Sequence, residues 1–535
     1  MRVITSTKVF TGTPDCESTR PLAVVIDDGR VTAVVPREEA RALADDVQVE
    51  DWGDAFVCPG FIDAHQHVQH AALFPSSLAC EHAGTSEEDC VAHLQAWTHG
   101  QSSPDTTSWL VCHGWRDSLW HAPLPPTRAS LDAAFPHRPI AMYSGDAHTL
   151  WTNTAGLRAL GLSDDSEPPA GGSFDRDERG HLTGVLRETA GMINVARVLA
   201  SFTTEELMGV YRTYLTHLRS MGITSVADMA LSLVPGADGI RPDIYEKLET
   251  AGMLCVRTHL FPCLGDDQSN LEELQARLTG AKLRVPGFKQ FFDGVSSQHT
   301  AWCGEPYANA RFARDVGRPT VAPERMRSLV LAAAKRGHAV RIHTIGDEAV
   351  HVALDIFCEA HARYGAPTQG CHTLEHVEDI RPADIARFAA AGVVASVQPP
   401  HVTIDLEQPE RDLGAWRAQR MWPFATMLRE GATLALGTDA PVVPPTSMDV
   451  LYTAVTRRTP TGHEPADGWH PEHALTRAQA LRAYSLGGAA AVGRAHELGS
   501  LEPGKLADLA IWDTDLIDCD ASILQHARCL ASELG

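Results

Sequence analysis

Two histidines near the start of the chain, His65 and His67, are separated by a single residue. Alternate residues of a β-strand point to the same side, so both imidazoles can bind one metal ion. The spacing alone carries little weight, because 26 histidines in 535 residues give roughly one such pair by chance, and the chain has one. Its position carries more weight, because residues 59–64 read as the end of a buried strand.

Four further residues capable of metal binding or acid–base chemistry lie in or after other apolar runs. Lys289 lies within an otherwise apolar run, where an unpaired ammonium is costly to bury. A neutral lysine, or one salt-bridged to Asp293, is the alternative interpretation. Polar residues often end strands, so each residue is ambiguous singly, whereas all six together, at the ends of five strands, indicate a metal centre. The candidate ligands are His65, His67, Lys289, His343, His376 and Asp439.

The elements that position these residues alternate between strand-like and helical runs, which is typical of parallel βα units. Residues 323–337 and 382–392, for example, read as helices that close with glycine. Eight such units predict an α/β protein with a TIM-type (β/α)8 barrel, whose active site lies at the carboxyl ends of the strands. The eight predicted strands are residues 56–64, 223–229, 255–261, 287–292, 339–343, 372–376, 393–397 and 433–437.

Other parts of the chain fall outside this barrel pattern. Residues 65–222 are too long for one crossover, so we expect an inserted subdomain that covers the barrel mouth. Near the amino terminus, the turn Asp27-Asp28-Gly29 between two β-branched runs predicts a hairpin. The predicted domains are a small β-sandwich of residues 1–56 and 495–535 and a barrel of residues 57–494, with a lid-like insertion at about 74–215.

The composition limits the partners. A net charge of −23 argues against binding to nucleic acid or to anionic membranes. No apolar run is long enough to span a bilayer, and the amino terminus lacks the hydrophobic stretch of a signal peptide. The 12 cysteines have no CxxC spacing, which favours a reducing cytoplasm. We therefore expect a cytoplasmic protein with a small-molecule substrate, no nucleic-acid or membrane partner, and a homodimer as the assembly to test.

Several motifs, taken in order, resemble one known family. They are similar to motifs of the amidohydrolase superfamily, and more narrowly of its amidohydrolase-3 branch, which includes N-substituted formamide deformylases. Branch-like stretches such as SGDAHTLWTN at 144–153 and VQPPH at 397–401 extend the resemblance over nearly the whole chain. The main motifs are PGFIDAHQH at 59–67, HTIGD at 343–347, LEH at 374–376, GTDAP at 437–441 and LGSLEPGKLADL at 498–509.

The resemblance implies a centre of one or two divalent metal ions per chain, with zinc expected. Lys289 matches the lysine that is carboxylated and bridges both ions in binuclear members. A metal-bound hydroxide would attack a substrate carbonyl, and Asp439 would act first as base and then as acid. The implied reaction is cleavage of a carbon–nitrogen bond in an amide or N-acyl small molecule, including N-formyl compounds. The implied ligands are His65, His67 and Asp439 for the more buried ion, and His343 and His376 for the second.

Residues in the insertion and in other branch-like stretches are candidates for contact with substrate. For each of them, a purely structural role is the equal alternative. The tryptophans around the insertion also favour an apolar or aromatic group on the substrate, although aromatic residues pack in cores too. The candidates are Trp115, His148, Glu188, His299 and His401.

Other functions remain open on the same scaffold. A deaminase would carry a glutamate three residues after the histidine of the fifth strand, but this chain has Gly346 there. Ester, lactone or carbamate hydrolysis uses the same nucleophile. A catalytically inactive, binding-only relative would usually have lost metal ligands, which this chain retains. One departure from the family concerns residues 532–535, where the chain ends before the expected last strand of the small sandwich.

Overall fold

The structure is a computed structural model that describes residues 1–42, 48–100, 108–122, 124–145, 147–169, 171–199, 201–231 and 238–535. These residues form 22 strands: β1 Arg2–Val9, β2 Arg20–Asp27, β3 Arg30–Pro36, β4 Gln48–Asp51, β5 Phe56–Pro59, β6 Phe61–Gln66, β7 Cys80–Glu81, β8 Leu110–Trp115, β9 Ile140–Ser144, β10 Thr149–Trp151, β11 Gly172–Arg176, β12 Leu182–Glu188, β13 Ile223–Met229, β14 Arg257–Phe261, β15 Leu283–Arg284, β16 Gly287–Phe291, β17 Ala339–Thr344, β18 Thr373–His376, β19 Val394–Val397, β20 Thr433–Leu436, β21 Leu509–Trp512 and β22 Cys529–Glu533.

The same residues form 19 α-helices: α1 Val68–Leu73, α2 Glu87–His99, α3 Arg128–Ala134, α4 Thr154–Ala159, α5 Thr189–Met192, α6 Val195–Leu199, α7 Thr204–Ser220, α8 Pro242–Thr250, α9 Ser269–Arg277, α10 Pro323–Lys335, α11 Asp347–Tyr364, α12 Pro382–Ala391, α13 Gln408–Leu413, α14 Ala415–Ala418, α15 Phe424–Arg429, α16 Ser447–Thr456, α17 Arg477–Arg482, α18 Gly488–Ala491 and α19 Ala521–Leu524. Within the described ranges, no helix combines the length and apolar character needed to cross a membrane.

Both ends of the chain contribute to one seven-stranded sheet, in the order β22-β21-β5-β1-β2-β3, with β4 paired to β1. The predicted hairpin is confirmed, because β2 and β3 pair antiparallel around Asp28 and Gly29. The expectation that the chain lacks a last strand is corrected by β22, which pairs antiparallel with β21. Ser532 is tied to the rest of the protein, because Arg219 donates through Nη2 to its carbonyl at 2.7 Å.

The long segment between β6 and β13 contains a six-stranded sheet of its own, in the order β11-β12-β10-β9-β8-β7. Two separate hydrophobic clusters involve this sheet, one around Tyr143 and Leu186 and one around Trp115 and Met142. This sheet lies within residues 65–222, the interval that the sequence predicts to contain an inserted subdomain, and it contributes to two hydrophobic clusters.

The strands that follow the predicted βα pattern form two parallel sheets, β15-β14-β13-β6 and β16-β17-β18-β19-β20. At one junction, His67 N–H donates to Ala440 O at 2.9 Å and Asp439 N–H donates to His65 O at 2.8 Å. At the other junction, Lys289 N–H donates to Pro262 O at 2.8 Å. Every predicted strand overlaps an observed one, which confirms the mixed α/β pattern. The closed barrel stays a prediction, because the ladders divide the strands between two sheets.

The first predicted strand, residues 56–64, is in fact two strands separated by Gly60. β5 pairs with β21 in the sheet of the chain ends, whereas β6 pairs with β13 in a parallel sheet. A Cβ at Gly60 would lie 2.2 Å from Thr224 Oγ1, so glycine allows the Thr224 side chain to pack directly against the backbone at residue 60. An apolar run that is continuous in sequence therefore crosses from one sheet to another.

Candidate metal centre

The six predicted ligands lie on or just after the parallel strands and are all buried. His65, His343 and His376 lie at or near the carboxyl ends of β6, β17 and β18, and Asp439 follows β20. Lys289 lies in the middle of β16, two residues before the last residue of the strand, Phe291. Parallel strands end at the same edge of a sheet, and backbone hydrogen bonds between residues 65–67 and 439–440 join the two sheets, so the fold brings these residues to one place.

His65, His67 and Asp439 form a compact group around one oxygen of the Asp439 carboxylate. Asp439 Oδ1 lies 3.4 Å from His65 Nε2 and 3.2 Å from His67 Nε2. The other ring nitrogens are held by acceptors, because His65 Nδ1–H donates to Glu375 Oε2 at 2.6 Å and His67 Nδ1–H donates to Met229 O at 2.9 Å. These partners fix the tautomer that presents each Nε2 lone pair to a metal.

His343 and His376 lie beside this group, with their ring centroids 4.4 Å apart. His376 Nδ1–H donates to Gln398 Oε1 at 2.9 Å, which leaves its Nε2 free to act as a ligand. His343 uses its other ring nitrogen as the donor: Nε2–H donates to Gly294 O at 3.3 Å, which leaves Nδ1 free to act as a ligand. The His65 and His376 rings are 5.0 Å apart, so the two histidine pairs adjoin one another.

The Lys289 side chain is fully buried, and its Nζ has no hydrogen-bond partner among the described residues. The salt bridge to Asp293 that the sequence leaves open is absent from the described contacts. Asp293 instead accepts hydrogen bonds from the backbone N–H groups of Trp302, Ile345 and Gly346. Burial lowers the pKa of Lys289 to about 8, and the negative charges of Glu375 and Asp439 only partly oppose this shift.

The protonation states of the other ligands suit metal binding. Burial lowers the pKa of His65 to about 4, and the charge of Lys289 adds to that shift. Burial likewise holds the pKa values of His343 and His376 well below their usual range. For Asp439, burial opposes ionisation, but the neighbouring imidazoles hold the pKa of its carboxyl well below its usual value. The site therefore presents neutral imidazoles and a carboxylate, which are the forms that bind a cation.

Unpartnered polar atoms test whether these residues fit a metal. His65 Nε2, Lys289 Nζ and Asp439 Oδ1 are all buried and lack hydrogen-bond partners in the described part of the chain. Leaving such groups without a partner is costly in a folded protein, and a shared cation satisfies the lone pairs. The backbone is also strained here, with φ of +60° at Asp439 and +70° at His376. Both observations fit a metal centre.

Glu375 is an important residue of the site that the sequence argument missed. Its carboxylate accepts from His65 Nδ1 on one side and from Arg341 Nε on the other. Burial opposes its ionisation, but the charges of Arg341 and His65 keep its pKa below its usual value. Arg341 is held in turn, because its Nη2 donates to Ala64 O at 2.8 Å. The available signal was two charged residues, Arg341 and Glu375, inside strands that are buried along their whole length.

Glu378 and His401 form a second donor group with His376 at the rim of the centre, and their ligand atoms all lie within 4.8 Å of one another. His401 Nδ1 lies 3.5 Å from Glu378 Oε1, and His401 Nε2 lies 3.9 Å from Asp439 Oδ2. The sequence predicts His401 as a substrate contact but does not single out Glu378. Its position two residues after His376 was the available signal.

A cavity of about 120 Å³ opens in front of these groups. Apolar residues such as Phe291, Ile345, Met421 and Trp422 form much of its wall, and Arg116 contributes a cation. His65 and Lys289 are not part of the lining and so lie deeper in the protein. The polar residues that face the cavity include His67, His148, His343, His376, His401 and Asp439.

The predicted substrate contacts divide into two groups. His148 and His401 line the cavity, and Glu188 lies behind His148, where its Oε2 accepts from His148 Nδ1–H at 2.8 Å. Trp115 does not line the cavity, because its ring packs against other tryptophans and its Nε1–H donates to Met142 O at 2.9 Å. His299 also lies outside the lining and donates through Nδ1–H to Asp315 Oδ2 at 2.6 Å.

Comparison with known proteins agrees with this geometry. The family model described as the amidohydrolase family matches residues 48–532. Protein LONG AFTER FAR-RED 3 of Arabidopsis thaliana is 28% identical over 538 residues, covering 98% of this chain and 89% of that protein. N-substituted formamide deformylase of Arthrobacter pascens is 26% identical over 541 residues, covering 97% of this chain and 94% of that protein.

A solved structure is also similar over its whole length. An uncharacterized metal-dependent hydrolase from Pyrococcus horikoshii superposes with a TM-score of 0.76 at 23% identity, covering 97% of this chain and 99% of that chain. At that level of identity the likeness shows a shared fold. Together with the match over residues 48–532, it confirms the resemblance that the motifs indicate. The chain belongs to the amidohydrolase family and is a metal-dependent amidohydrolase.

Proposed function

We propose that this enzyme hydrolyses the carbon–nitrogen bond of a small amide or N-acyl compound, N-formyl compounds included. The observation that carries the proposal is the convergence of neutral histidines and the Asp439 carboxylate at one cavity, with Lys289 buried deeper in the protein. The relative from Arthrobacter pascens, named as an N-substituted formamide deformylase, supports the N-formyl class. The apolar cavity wall favours a substrate with an apolar substituent on the acyl or amine side.

The ligand set supports zinc as the metal and two ions as the full complement. His65, His67 and Asp439 would hold one ion, and His343 and His376 the other, because imidazole nitrogen and carboxylate oxygen are common zinc ligands. Bound metal lowers the pKa of water and polarises a carbonyl, which is the chemistry that amide hydrolysis needs. We place these ligands at the mouth of a (β/α)8 barrel, closed by the backbone hydrogen bonds at the two sheet junctions.

Lys289 is proposed to bridge the two ions as a carbamate. Its lowered pKa, about 8, leaves part of the amine neutral near neutral pH. A neutral amine adds carbon dioxide and releases a proton, which converts a buried ammonium into an anionic ligand. The unpartnered Nζ in a fully buried position supports this assignment.

Asp439 is proposed to move the proton during turnover. Its carboxylate faces the cavity and stays ionised, so it can accept a proton from the attacking water and later donate it to the departing nitrogen. His148, oriented by Glu188, lies on the cavity wall near His343, with ring centroids 6.3 Å apart. Because Nδ1–H is given to Glu188, His148 would donate to the substrate carbonyl oxygen through Nε2 in its protonated form.

Deamination is not favoured. The position where deaminase relatives carry glutamate is Gly346, and a Cβ there would lie 2.2 Å from Trp302 O. A side chain is therefore excluded at this position by the neighbouring backbone. Ester, lactone and carbamate hydrolysis share the same chemistry and are separated by experiment.

The test is a hydrolysis screen of N-formyl, N-acyl, carbamate and ester compounds with matched apolar groups. We expect the highest kcat/KM for an amide or N-formyl compound, with activity lost on chelation and restored by Zn²⁺. The matched control is Asp355→Asn, an exposed aspartate on α11, which is expected to keep full activity. A preference for esters with no amide turnover would contradict the proposal.

A further inference from the structure

A second cluster of potential ligands, separate from the catalytic centre, is formed by Cys303, Asp347 and Asp379. Their ligand atoms all lie within 4.8 Å of one another, and all three residues are buried. None of them lines the cavity. The catalytic centre does not use these residues, and neither the motifs nor the resemblance assigns them a role.

The Asp379 carboxylate is the unusual member of the cluster. Its side chain is 1% exposed, and neither oxygen has a hydrogen-bond partner in the described ranges. Its backbone is fixed, because Asp379 N–H donates to Ile345 O at 3.0 Å. A buried carboxylate with four unused lone pairs requires either a proton or a cation.

The other two residues can complete a metal site. Asp347 accepts from Gly304 N–H at 2.8 Å and from Arg381 Nε at 3.2 Å, which leaves one lone pair on each oxygen. The Cys303 thiol makes only a long contact of 3.6 Å to Ala301 O. A thiolate and two carboxylates together fit a divalent transition-metal ion of the zinc type.

Nearby guanidinium groups do not replace such an ion. Arg381 pairs with Asp347 rather than with Asp379. Arg417 also lies close, but its nitrogens donate to the backbone carbonyls of Leu413, Glu305 and Pro306. Asp379 therefore lacks a direct positive partner among the described residues.

We propose that Cys303, Asp347 and Asp379 bind a structural divalent metal ion, with zinc as the best-fitting ion. The ion joins three segments: the loop that contains Cys303, the first turn of α11, and the loop after β18. Ile345 and Glu378, which adjoin two of these segments, line the cavity. The ion would therefore stabilise the cavity wall, from a position behind the residues that line it.

Cobalt substitution tests this site separately from the catalytic centre. None of the six catalytic ligands is a cysteine, so a thiolate-to-cobalt charge-transfer band in the near ultraviolet reports on the Cys303 cluster. We expect the Co²⁺-loaded full-length protein to show this band and to bind one metal ion more than the catalytic centre holds. The double variant His65→Ala/His67→Ala is expected to lose activity and keep the band.

Two variants decide which residues bind the ion. Cys303→Ser is expected to abolish the band, whereas Cys263→Ser, a change at another buried cysteine, is expected to keep it. If Cys303→Ser does not fold, Asp379→Asn retains the thiol and the side-chain shape and is expected to lose one bound ion. A wild-type protein without the band, a band that persists in Cys303→Ser, or unchanged metal content in Asp379→Asn would overturn the proposal.

Discussion

The two buried donor clusters differ in what lies in front of them. The histidine-rich centre faces a cavity of about 120 Å³, whereas Cys303, Asp347 and Asp379 are buried and do not line that cavity. Catalytic metal sites keep a position open for water or substrate, while structural sites are closed by protein ligands. Both clusters are buried, and they differ in whether substrate can reach them. Each prediction below either separates the two clusters further or shows that the division is wrong.

The largest effect is expected at Asp439, the carboxylate that faces the cavity. Asp439→Asn should lower kcat by about 10²–10⁴-fold, because an amide cannot accept the water proton. Metal analysis should show that most of the metal remains, and the cobalt–thiolate band of the other cluster should not change. Wild-type turnover in this variant would remove Asp439 from the mechanism.

Replacement of Lys289 should remove metal rather than proton transfer. Lys289→Ala deletes the proposed bridge, so we expect loss of one bound ion and of most turnover. Lys282→Ala is the matched control, because Lys282 Nζ only donates to Leu254 O at 3.0 Å. Metal content and kcat should be measured with and without added bicarbonate. Unchanged metal content in Lys289→Ala would show that the lysine is not a ligand.

Glu375 should affect the centre through His65. Glu375→Gln keeps the shape but weakens the acceptor for His65 Nδ1–H, so metal affinity should fall by about 10–100-fold. The measurement is competition with a chelator of known affinity, and Glu272→Gln, at a partly exposed surface position, is the control. Equal affinity in wild type and Glu375→Gln would mean that the contact does not orient the ligand.

His65 should make the stability of the metal-free protein depend on pH. The pKa of His65 is about 4 in the folded protein and about 6.5 in an unfolded chain, so between these values the unfolded state binds more protons. The contribution of His65 to stability should therefore fall as the pH drops below about 6.5 and stay level above it. Urea unfolding at several pH values measures this, with His65→Gln expected to show a shallower dependence. Parallel profiles of the wild type and His65→Gln between about pH 7 and pH 5 would contradict the burial of a neutral His65.

The smallest effect separates two histidines that the sequence placed in one class. His299→Ala should cost about 1–3 kcal/mol of unfolding free energy, because Asp315 loses its partner, and should leave kcat nearly unchanged. His401→Ala should lower kcat/KM with little change in stability, because His401 faces the cavity. Thermal unfolding and steady-state kinetics of both variants measure the difference. The reverse pattern would show that the cavity is not the substrate site.

Most of the proposed metal ligands were predictable because they lie near the ends of recognisable strands or just after them. Parallel strands end at one edge, so sequence position alone predicts that His65, His343 and His376 meet. Lys289 was also found, since a charge within an apolar run is conspicuous. The sequence could not show that Gly60 divides the first strand between two sheets, because that depends on the close approach of Thr224.

Residues outside the strand ends were less predictable. The sequence predicts Trp115 and His299 as substrate contacts. In the structure, Trp115 Nε1–H donates to Met142 O and His299 Nδ1–H donates to Asp315 Oδ2. The charge of Glu375 within a buried strand was a local signal, but the residues that Glu375 and Asp379 contact or adjoin lie far away in sequence, so their roles could not be predicted. The sequence therefore predicted which residues could do chemistry better than it predicted which ones face the cavity.

The most direct test of the account is a metal titration of chelator-treated protein, using a substrate from the hydrolysis screen. We expect no activity without metal and a recovery that rises in step with Zn²⁺ bound in the wild type. In His65→Ala/His67→Ala, added Zn²⁺ should restore no activity, while the metal at Cys303 remains. Full activity in the metal-free enzyme, or recovery in the double variant, would contradict a metal centre at the strand ends.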